Sequence, residues 1–369
     1  MEPCVPTQAV VELTKQCNLC CQHCGSGCTS KADPKEMNVE EWKDCIDQLA
    51  ALGTEKVIFS GGEPTLKDQF DELIVHVGKR GLKYAFITNG YELPDTIAST
   101  ISKHRPYAVG VSIDGMEGVH NQIRRKKDSW SRALETIRGV KNLGIQVCVV
   151  TTVSRHNLSE LDLLADFLSK EVDSWQIQLA TPFGRMAKRE DALLSEDEFT
   201  ALCRRIIIYR HVYPELNIQA ADCFGMAPAG TVRSGFWGGC SAGVTSLGID
   251  ACGSILPCLS LQSGATCGNL RERSLEEIWK NSEGFALNRR FHEKDANGGK
   301  CEGCEELDLC RGGCASQSYA YYGRFHSSPF CYERTFHLKH SEGGVQDAEY
   351  SQCDPQRHGT AHCSSKAAG

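Results

Sequence analysis

The sequence has no apolar run that approaches the roughly 20 residues needed to span a bilayer. Its first residues, MEPCVPTQAVVELTKQC, lack the basic start and apolar stretch of a secretory signal peptide, so we expect a cytoplasmic protein. An excess of positive charge is also missing, because 40 basic and 47 acidic side chains give a net charge of -7. We therefore expect neither a membrane-spanning protein nor one that binds nucleic acid.

The composition is otherwise that of a globular chain, except for its cysteines. Hydrophobic residues make up 41% and charged residues 24% of 369 residues, enough for a large domain and a smaller one. The 21 cysteines would be disulfides in an oxidising compartment and metal ligands in the cytosol. The odd count and the missing signal peptide both favour metal binding.

Short runs rich in Val and Ile alternate with amphipathic stretches between residues 9 and 180. The predicted strands are Ala9–Leu13, Lys56–Ser60, Lys83–Thr88, Tyr107–Ile113, Gln146–Val153 and Ser174–Leu179. The predicted helices between them are 38–52, 69–80, 94–102, 129–143 and 158–170. This alternation indicates parallel strands with right-handed crossovers. Six units do not fill an eight-unit barrel, so we predict an α/β fold with an open, partial (β/α)6 TIM-like barrel and an active site at the carboxyl ends of its strands.

The pattern changes after Thr181. Ser195–Tyr213 indicates a bridging helix, and from Asp222 the chain is rich in Gly and Cys, with too little aliphatic core to fold without metal. The predicted segments are a barrel over 1–190, a helical bridge over 191–239, a small cysteine-rich domain over 240–335 and a polar, disordered tail over 336–369.

Three cysteines directly after the first predicted strand have the spacing C-x3-C-x2-C: Cys17, Cys21 and Cys24. Three thiolates can hold three irons of a four-iron cluster and leave the fourth open to a substrate or cofactor, whereas an electron-transfer cluster normally has four cysteines. Cys20 allows another interpretation, since Cys17 with Cys20 and Cys21 with Cys24 could form a compact zinc knuckle.

The segment VELTKQCNLCCQHC resembles the signature of the radical S-adenosylmethionine (SAM) superfamily, with His23 where that family usually has an aromatic or similar ring. The resemblance implies a [4Fe–4S] cluster on Cys17, Cys21 and Cys24, with SAM on the open iron. It also implies reductive cleavage of SAM to a 5′-deoxyadenosyl radical, which removes hydrogen from a substrate.

Three further segments follow successive predicted strands: Gly61-Gly62-Glu63-Pro64, Thr88-Asn89-Gly90 and Ser112-Ile113-Asp114-Gly115. Each alone also fits an ordinary turn. A glycine lets a ligand approach the backbone, and a carboxylate can accept from an ammonium group. The family resemblance implies that the first segment binds the SAM amino group.

By the same resemblance Ser112 and Arg124 address the SAM carboxylate, Asp114 lies near the ribose, and the Thr88-Asn89 turn belongs to the cofactor site. Residues on the fifth and sixth strands fit the adenine site and the barrel interior equally well. They are Thr151, Val153 and Gln178.

The C-terminal region has seven cysteines in the pattern Cys240-x12-Gly253-x4-Cys258, Cys301-x2-Cys304-x5-Cys310-x3-Cys314 and Cys331. Seven cysteines are too many for one site, and only one C-x2-C pair suits a zinc ribbon, so two clusters are the better hypothesis. The pattern resembles the SPASM domain of radical SAM enzymes that modify peptides and proteins.

That resemblance implies a nearer auxiliary cluster on Cys240, Cys258 and Cys314, and an outer one on the remaining four cysteines, Cys301, Cys304, Cys310 and Cys331. The nearer cluster then lacks a fourth ligand. Cys252 is the leading candidate, Cys267 and Cys223 are weaker ones, and a substrate thiolate on an open site is the alternative.

The predicted function is hydrogen abstraction from a peptide or small protein, installing a thioether or C–C crosslink in a ribosomal peptide. Sulfatase-type maturation ranks lower, because enzymes with that activity have an acidic residue after the cysteine equivalent to Cys258, where Leu259 stands. Haem-pathway side-chain modification is a third option. A non-catalytic iron–sulfur or zinc scaffold that binds peptide would need neither an open iron nor the GGEP segment.

The expected partners follow from this function. An electron donor such as flavodoxin or ferredoxin would reduce the first cluster. The barrel is predicted to start within the first ten residues, so recognition of a leader peptide falls to a separate protein or to the barrel itself. No side chain is assigned as a catalytic acid or base.

Overall fold

The computed structural model describes residues 5–233, 235–261, 266–280 and 283–336. The tail predicted over 336–369 lies outside the described residues, apart from its first residue. No helix in these ranges is both long and apolar enough to cross a membrane.

A ten-stranded sheet organises the described chain, in the order β10-β9-β8-β1-β2-β3-β4-β5-β6-β7. Its strands are β1 (Gln8–Glu12), β2 (Lys56–Ser60), β3 (Lys83–Thr88), β4 (Ala108–Ser112), β5 (Val147–Val153), β6 (Ser174–Leu179), β7 (Asn217–Ala220), β8 (Ser246–Ile249), β9 (Ser254–Leu256) and β10 (Gly268–Asn269). Neighbours from β8 through β1 to β7 are parallel, and β9 and β10 are antiparallel additions. The sheet is open, since β10 and β7 form its two edges.

Helices of the barrel region follow the strands. They are α1 (Val39–Ala51), α2 (Phe70–Lys79), α3 (Asp95–Lys103), α4 (Glu117–Arg124), α5 (Ser129–Asn142), α6 (Leu161–Glu171) and α7 (Glu196–Val212). The C-terminal region adds shorter ones. They are α8 (Leu275–Lys280), α9 (Ala286–Arg289), α10 (Leu307–Cys310) and α11 (Ala315–Tyr322). The predicted capping box at α1 is present, because the Asn38 side chain accepts from the Glu41 amide at 3.0 Å and the Glu41 side chain from the Asn38 amide at 2.8 Å.

The predicted α/β fold with an open partial barrel is confirmed, and the bounds of β2, β3 and β6 match the prediction residue for residue. Two elements differ. The region predicted as a helical bridge also supplies β7, which pairs with β6, and the cysteine-rich region supplies β8, which pairs with β1. The domain boundaries at 190, 239 and 335 stay predictions, since strands from three of the four segments share one sheet.

The core lies between the sheet and its helices. Phe59 and Phe86 on the strands contact Phe70 of α2 edge-on, with ring centroids 5.4 and 5.7 Å apart. Parallel strands covered by helices are buried along their length, which leaves the loops at their carboxyl ends to carry polar side chains. The segments predicted to bind the cofactor lie at those carboxyl ends, where Thr88 and Ser112 are the last residues of β3 and β4.

Candidate functional site

The loop that follows β1 gathers the side chains of the first cysteine motif. Cys17 and Cys21 are buried in one cluster with Cys28, and Cys24 packs against it. Cys20, by contrast, is exposed and lies outside this cluster, which disfavours the zinc knuckle that would need it. Over the described ranges, no three His, Cys, Asp or Glu side chains converge closely enough to hold a single metal ion. The gathering of Cys17, Cys21 and Cys24 on one loop suits the three ligands of a four-iron cluster.

The loop after β6 holds the cysteine loop in place. The Arg185 guanidinium donates from Nε to the Cys21 carbonyl at 2.8 Å and from Nη1 to the Cys28 carbonyl at 2.7 Å. A side chain at the preceding Gly184 would come within 2.5 Å of the Cys24 carbonyl, so only glycine allows this approach. Sequence analysis missed Arg185, because nothing in a single sequence marks an arginine in a loop as a clamp.

The two glycines after β2 pack on the chain that leads into Cys17. Gly61 has φ +143°, and a Cβ there would lie 2.6 Å from the Thr14 carbonyl oxygen. The Gly62 amide donates to that same carbonyl at 2.7 Å, and the Glu63 amide donates to the Gln16 carbonyl at 2.8 Å. The GG pair is therefore required for close backbone contact between the two loops.

The Glu63 carboxylate points inward, with 1% of the residue exposed. Its Oε1 accepts from the Thr65 amide and from the hydroxyls of Thr65 and Thr88, and its Oε2 accepts from the Asn89 amide at 2.7 Å. Burial raises the pKa of Glu63, and these hydrogen bonds oppose that rise. All four donors belong to the protein, in the loop after β2 and at or just after the end of β3, so the carboxylate anchors these two segments to one another.

Asn89 connects the end of β3 to the cysteine loop. Its Nδ2 donates to Asn18 Oδ1 at 2.8 Å and lies 3.7 Å from Cys17 Sγ. Glu63 fixes Asn89 and Thr88 through the bonds described above, so the GGEP and TNG segments form one network behind Cys17. Together they orient the first cysteine.

A second network lies behind Cys21 and centres on Asp114, which is fully buried after β4. Asp114 Oδ2 lies 2.8 Å from His23 Nε2 and 2.7 Å from Arg124 Nε, and Arg124 Nη1 lies 3.7 Å from Cys21 Sγ. Burial alone would raise the pKa of Asp114, but Arg124 and His23 outweigh it and hold the pKa below its usual range. Arg125 is exposed, so Arg124 is the arginine of the pair that faces the cysteines.

The remaining predicted cofactor residues differ in burial: Ser112 and Gln178 are half-buried, whereas Thr151 and Val153 are fully buried. Ser112 is half-buried at the end of β4, next to the Asp114 network. Thr151 and Val153 are fully buried, and the Thr151 hydroxyl bonds the Ile113 carbonyl and the Trp175 indole, so both belong to the barrel interior. Gln178 is half-buried and donates to the Thr152 hydroxyl at 2.9 Å.

The four cysteines proposed for the outer set, Cys301, Cys304, Cys310 and Cys331, lie near enough for their charges to act on one another. Burial, together with the charges of the other three, raises the pKa of Cys310 to about 12. Cys304 is exposed while Cys301 and Cys310 are buried, so this set reaches from the interior to the surface.

The other three SPASM cysteines form a second group with an additional member. Burial raises the pKa of Cys314, and the charges of Cys240, Cys223 and Cys258 also raise it, by smaller amounts. Cys223 lies just after β7, where its sulfur accepts from the Leu179 amide at 3.3 Å. The weaker candidate Cys223 thus adjoins the nearer set.

Cys252, the leading candidate from the sequence, lies elsewhere. It occupies the turn between β8 and β9, while Cys258 follows the far end of β9, and a three-residue strand alone spans roughly 10 Å. Its charged neighbours include Asp250, Asp33 and Lys15, and its amide donates to the Asp250 side chain at 2.9 Å. The structure therefore disfavours Cys252 as a ligand of the cluster that Cys258 would hold, because the ligands of one cluster must converge.

Cys267, the other weaker candidate, also has a different environment. Its Sγ donates to the Gly284 carbonyl at 3.0 Å, and its residue is buried in the hydrophobic core. This is the environment of a small core residue.

Comparison with known proteins agrees with these two parts of the site. The model of the radical SAM superfamily matches residues 11–168, and that of the SPASM iron–sulfur cluster-binding domain matches residues 240–305. Together they match more than half of the chain.

Individual relatives cover most of the chain. The AdoMet-dependent heme synthase of Nitratidesulfovibrio vulgaris is 27% identical over 337 residues, which are 87% of this chain and 90% of the relative. The mycofactocin maturase MftC of Mycolicibacterium smegmatis is 29% identical over 315 residues, 84% of this chain and 78% of the relative.

Solved structures share the fold. Streptococcus suis SuiB bound to its precursor peptide SuiA has a TM-score of 0.69 at 17% identity, over 89% of this chain and 75% of SuiB. The enzyme anSMEcpe with bound AdoMet and the Cp18Cys peptide has a TM-score of 0.69 at 18% identity, over 90% of this chain and 95% of its own. With its three-cysteine loop, its GGEP network and its C-terminal cysteine sets, the chain belongs to the radical SAM superfamily and carries a SPASM iron–sulfur domain.

Proposed function

We propose that this radical SAM enzyme modifies a peptide or small protein, installing a thioether or C–C crosslink. The observation that supports it most is the pairing of β8 with β1, which attaches the auxiliary cysteine domain to the strand that leads into Cys17. When bound, the cofactors supply a 5′-deoxyadenosyl radical that removes a hydrogen atom, and an acceptor for the electron left when the new bond forms. Forming either crosslink oxidises the substrate by two electrons, so an acceptor beside the barrel suits this chemistry.

The first cluster would be held by Cys17, Cys21 and Cys24. The donor set fits, because the sulfurs of Cys17 and Cys21 each have a side-chain N–H donor at 3.7 Å, from Asn89 and Arg124. Donors of this kind stabilise thiolate charge and tune the potential of a cluster. The same role explains why each donor residue is itself held by a buried carboxylate: Asn89 by Glu63 and Arg124 by Asp114.

The SAM site would lie at the carboxyl ends of β2, β3 and β4. The backbone of Gly61-Gly62-Glu63-Pro64 would receive the amino group. Ser112 and Arg124 would address the carboxylate, and Asp114 would act by holding Arg124 and His23 in position. An electron donor of the flavodoxin or ferredoxin type, and a leader-recognition protein, are the proposed partners.

The auxiliary clusters would be held by two sets of cysteines. Cys301, Cys304, Cys310 and Cys331 would hold the outer cluster. Cys240, Cys258 and Cys314 would hold the nearer one, and the position of Cys223 makes it the fourth ligand that we favour.

Relatives with haem-pathway names support a second candidate function. The AdoMet-dependent heme synthases match 87% of this chain, as fully as the maturases do. The substrate would then be a tetrapyrrole with carboxylate side chains instead of a peptide.

One experiment distinguishes the two functions. The anaerobically reconstituted enzyme is incubated with SAM and reductant, first with the short peptide encoded nearest to its gene and then with a carboxylated iron tetrapyrrole. Mass spectrometry of each substrate is expected to show loss of two hydrogen atoms from the peptide and no change in the tetrapyrrole. Loss of carbon dioxide from the tetrapyrrole, with an unchanged peptide, would contradict the maturase proposal.

We expect the reconstituted protein to contain about twelve irons per chain, because three four-iron clusters require that number. Iron and acid-labile sulfide are measured together after anaerobic purification. A value near four irons, or zinc in place of iron, would contradict the two auxiliary clusters. Replacing Cys45, which is buried in α1, with Ser is a control that leaves the iron count unchanged.

The fourth ligand of the nearer cluster can be tested with two single substitutions. We expect Cys223→Ser to change the spectrum of one auxiliary cluster and to lower the iron content by up to about four per chain. We expect Cys252→Ser to change neither, because Cys252 lies beyond the other end of β9 from Cys258. Iron loss from Cys252→Ser together with a normal Cys223→Ser protein would reverse this assignment.

A further inference from the structure

Arg233 is a buried arginine in the segment between β7 and the first SPASM cysteine. It is 6% exposed. Its Nε and Nη2 donate to the Gly225 carbonyl at 3.1 and 2.8 Å, and its guanidinium lies 4.4 Å from the ring centroid of Trp237. The guanidinium is therefore fixed in position by the backbone and by an aromatic ring.

Its charge is not neutralised by a close carboxylate. Over the described residues Arg233 forms no ion pair within 4.0 Å, and the acid with the largest effect on its pKa is Asp222, whose Oδ1 accepts from the Trp237 indole at 3.0 Å. Taking a cation out of water without a paired anion is costly. Other negative charge must therefore offset it when the protein is assembled.

Cysteines of both auxiliary sets lie near this cation. A Cβ at Gly225, whose carbonyl binds Arg233, would lie 3.2 Å from Cys331 Sγ, so this turn packs directly on the outer set. Burial lowers the pKa of Arg233, and the charges of Asp222, Cys223, Cys310 and Cys314 oppose that fall. Cys310 belongs to the outer set and Cys314 to the nearer one, so Arg233 is within electrostatic reach of both sets.

We propose that Arg233 supplies a fixed positive charge near both auxiliary cluster sites and raises their reduction potentials. A cluster bound by thiolates becomes more negative when it gains an electron, and a nearby cation stabilises that form. Arginine suits the task because its guanidinium stays protonated even when buried. The inference rests on the cysteine sets proposed above, and it does not depend on which substrate the enzyme takes.

The test is a redox titration of the reconstituted full-length protein, followed by electron paramagnetic resonance without substrate. We expect Arg233→Gln to lower the midpoint potential of at least one auxiliary cluster and Arg233→Lys to lower it less. The first cluster, recognised because its signal changes when SAM is added, should keep its potential. Since no substrate is present, a failure of the crosslinking proposal would leave this measurement intact.

Arg289→Gln is the matched control. Arg289 also lies over aromatic rings, 4.1 Å from Trp279 and 4.5 Å from Phe285, and also donates to main-chain carbonyls. The cysteine that its charge influences is Cys267, which belongs to neither set. We expect unchanged auxiliary potentials in this variant.

Two results would overturn the proposal. One is an Arg233→Gln protein with full iron content and unchanged potentials, and the other is an equal shift in Arg289→Gln. If Arg233→Gln loses iron, Arg233→Lys decides, because lysine keeps a positive charge but lacks the guanidinium that bonds the Gly225 carbonyl. A lowered auxiliary potential in Arg233→Lys protein with full iron content is expected, and an unchanged or raised value would refute the role of fixed charge.

Discussion

Replacing Cys17, Cys21 and Cys24 with alanine is expected to reduce release of 5′-deoxyadenosine from SAM to background. Each single substitution should do the same, because a four-iron cluster that already has only three protein ligands loses its attachment when one is removed. The product is measured by liquid chromatography after anaerobic reduction with dithionite.

Cys20→Ala is the matched control for this prediction. Cys20 stands in the same loop, between two of the proposed ligands, but its side chain is exposed. We expect its variant to cleave SAM at the parental rate. Continued release of 5′-deoxyadenosine by the triple variant would show that the site has been misassigned.

Removing the carboxylate of Asp114 is expected to destabilise the protein by about 3–5 kcal/mol, the usual cost of breaking a buried ion pair from one side. Asp114 is fully buried and faces both Arg124 and His23, so its loss leaves the Arg124 cation without its paired carboxylate. The measurement is urea unfolding of reconstituted Asp114→Ala protein under anaerobic conditions, followed by tryptophan fluorescence.

Two further variants show whether the ion pair is the cause. Asp166→Ala is the control, because it removes an exposed carboxylate that pairs with Lys170. We expect little measurable change in the free energy of unfolding. A double Asp114→Ala, Arg124→Met variant removes both charges and should recover part of the lost stability. If the double variant were less stable than Asp114→Ala, the uncompensated charge would not explain the loss.

The regular part of the fold could be predicted because its local signals agree with its tertiary structure. The strands are rich in Val and Ile, and Asn38 with Glu41 marks the start of α1 by itself. β7 was missed because four residues, NIQA, are too few to show a period. The pairing of β8 with β1 was missed because it joins residues far apart in the chain, which no local pattern reports.

The candidate site shows a similar division. Spacing alone placed the cysteine loop and the segments after β2, β3 and β4, since the carboxyl ends of parallel strands meet at one edge. The direction in which each side chain points could not be predicted from the sequence. Glu63 and Asp114 point inward, toward donors such as Thr88 and Arg124 that come from other loops. Arg185 gains its position only when the loop after β6 meets the loop after β1.

The pairing of β8 with β1 also has a consequence for synthesis on the ribosome. β1 pairs with β2 on one side and with β8 (Ser246–Ile249) on the other. The ribosome makes β8 more than 230 residues after β1, so one edge of β1 is unpaired until then. At about 5–20 residues per second this interval lasts roughly 12–50 seconds. During that time the unpaired edge of β1, next to the cysteine loop without its cluster, can pair with strands of other nascent chains. Slower initiation or lower temperature during expression should therefore raise the yield of folded protein, and a chain that stops before Ser246 should aggregate.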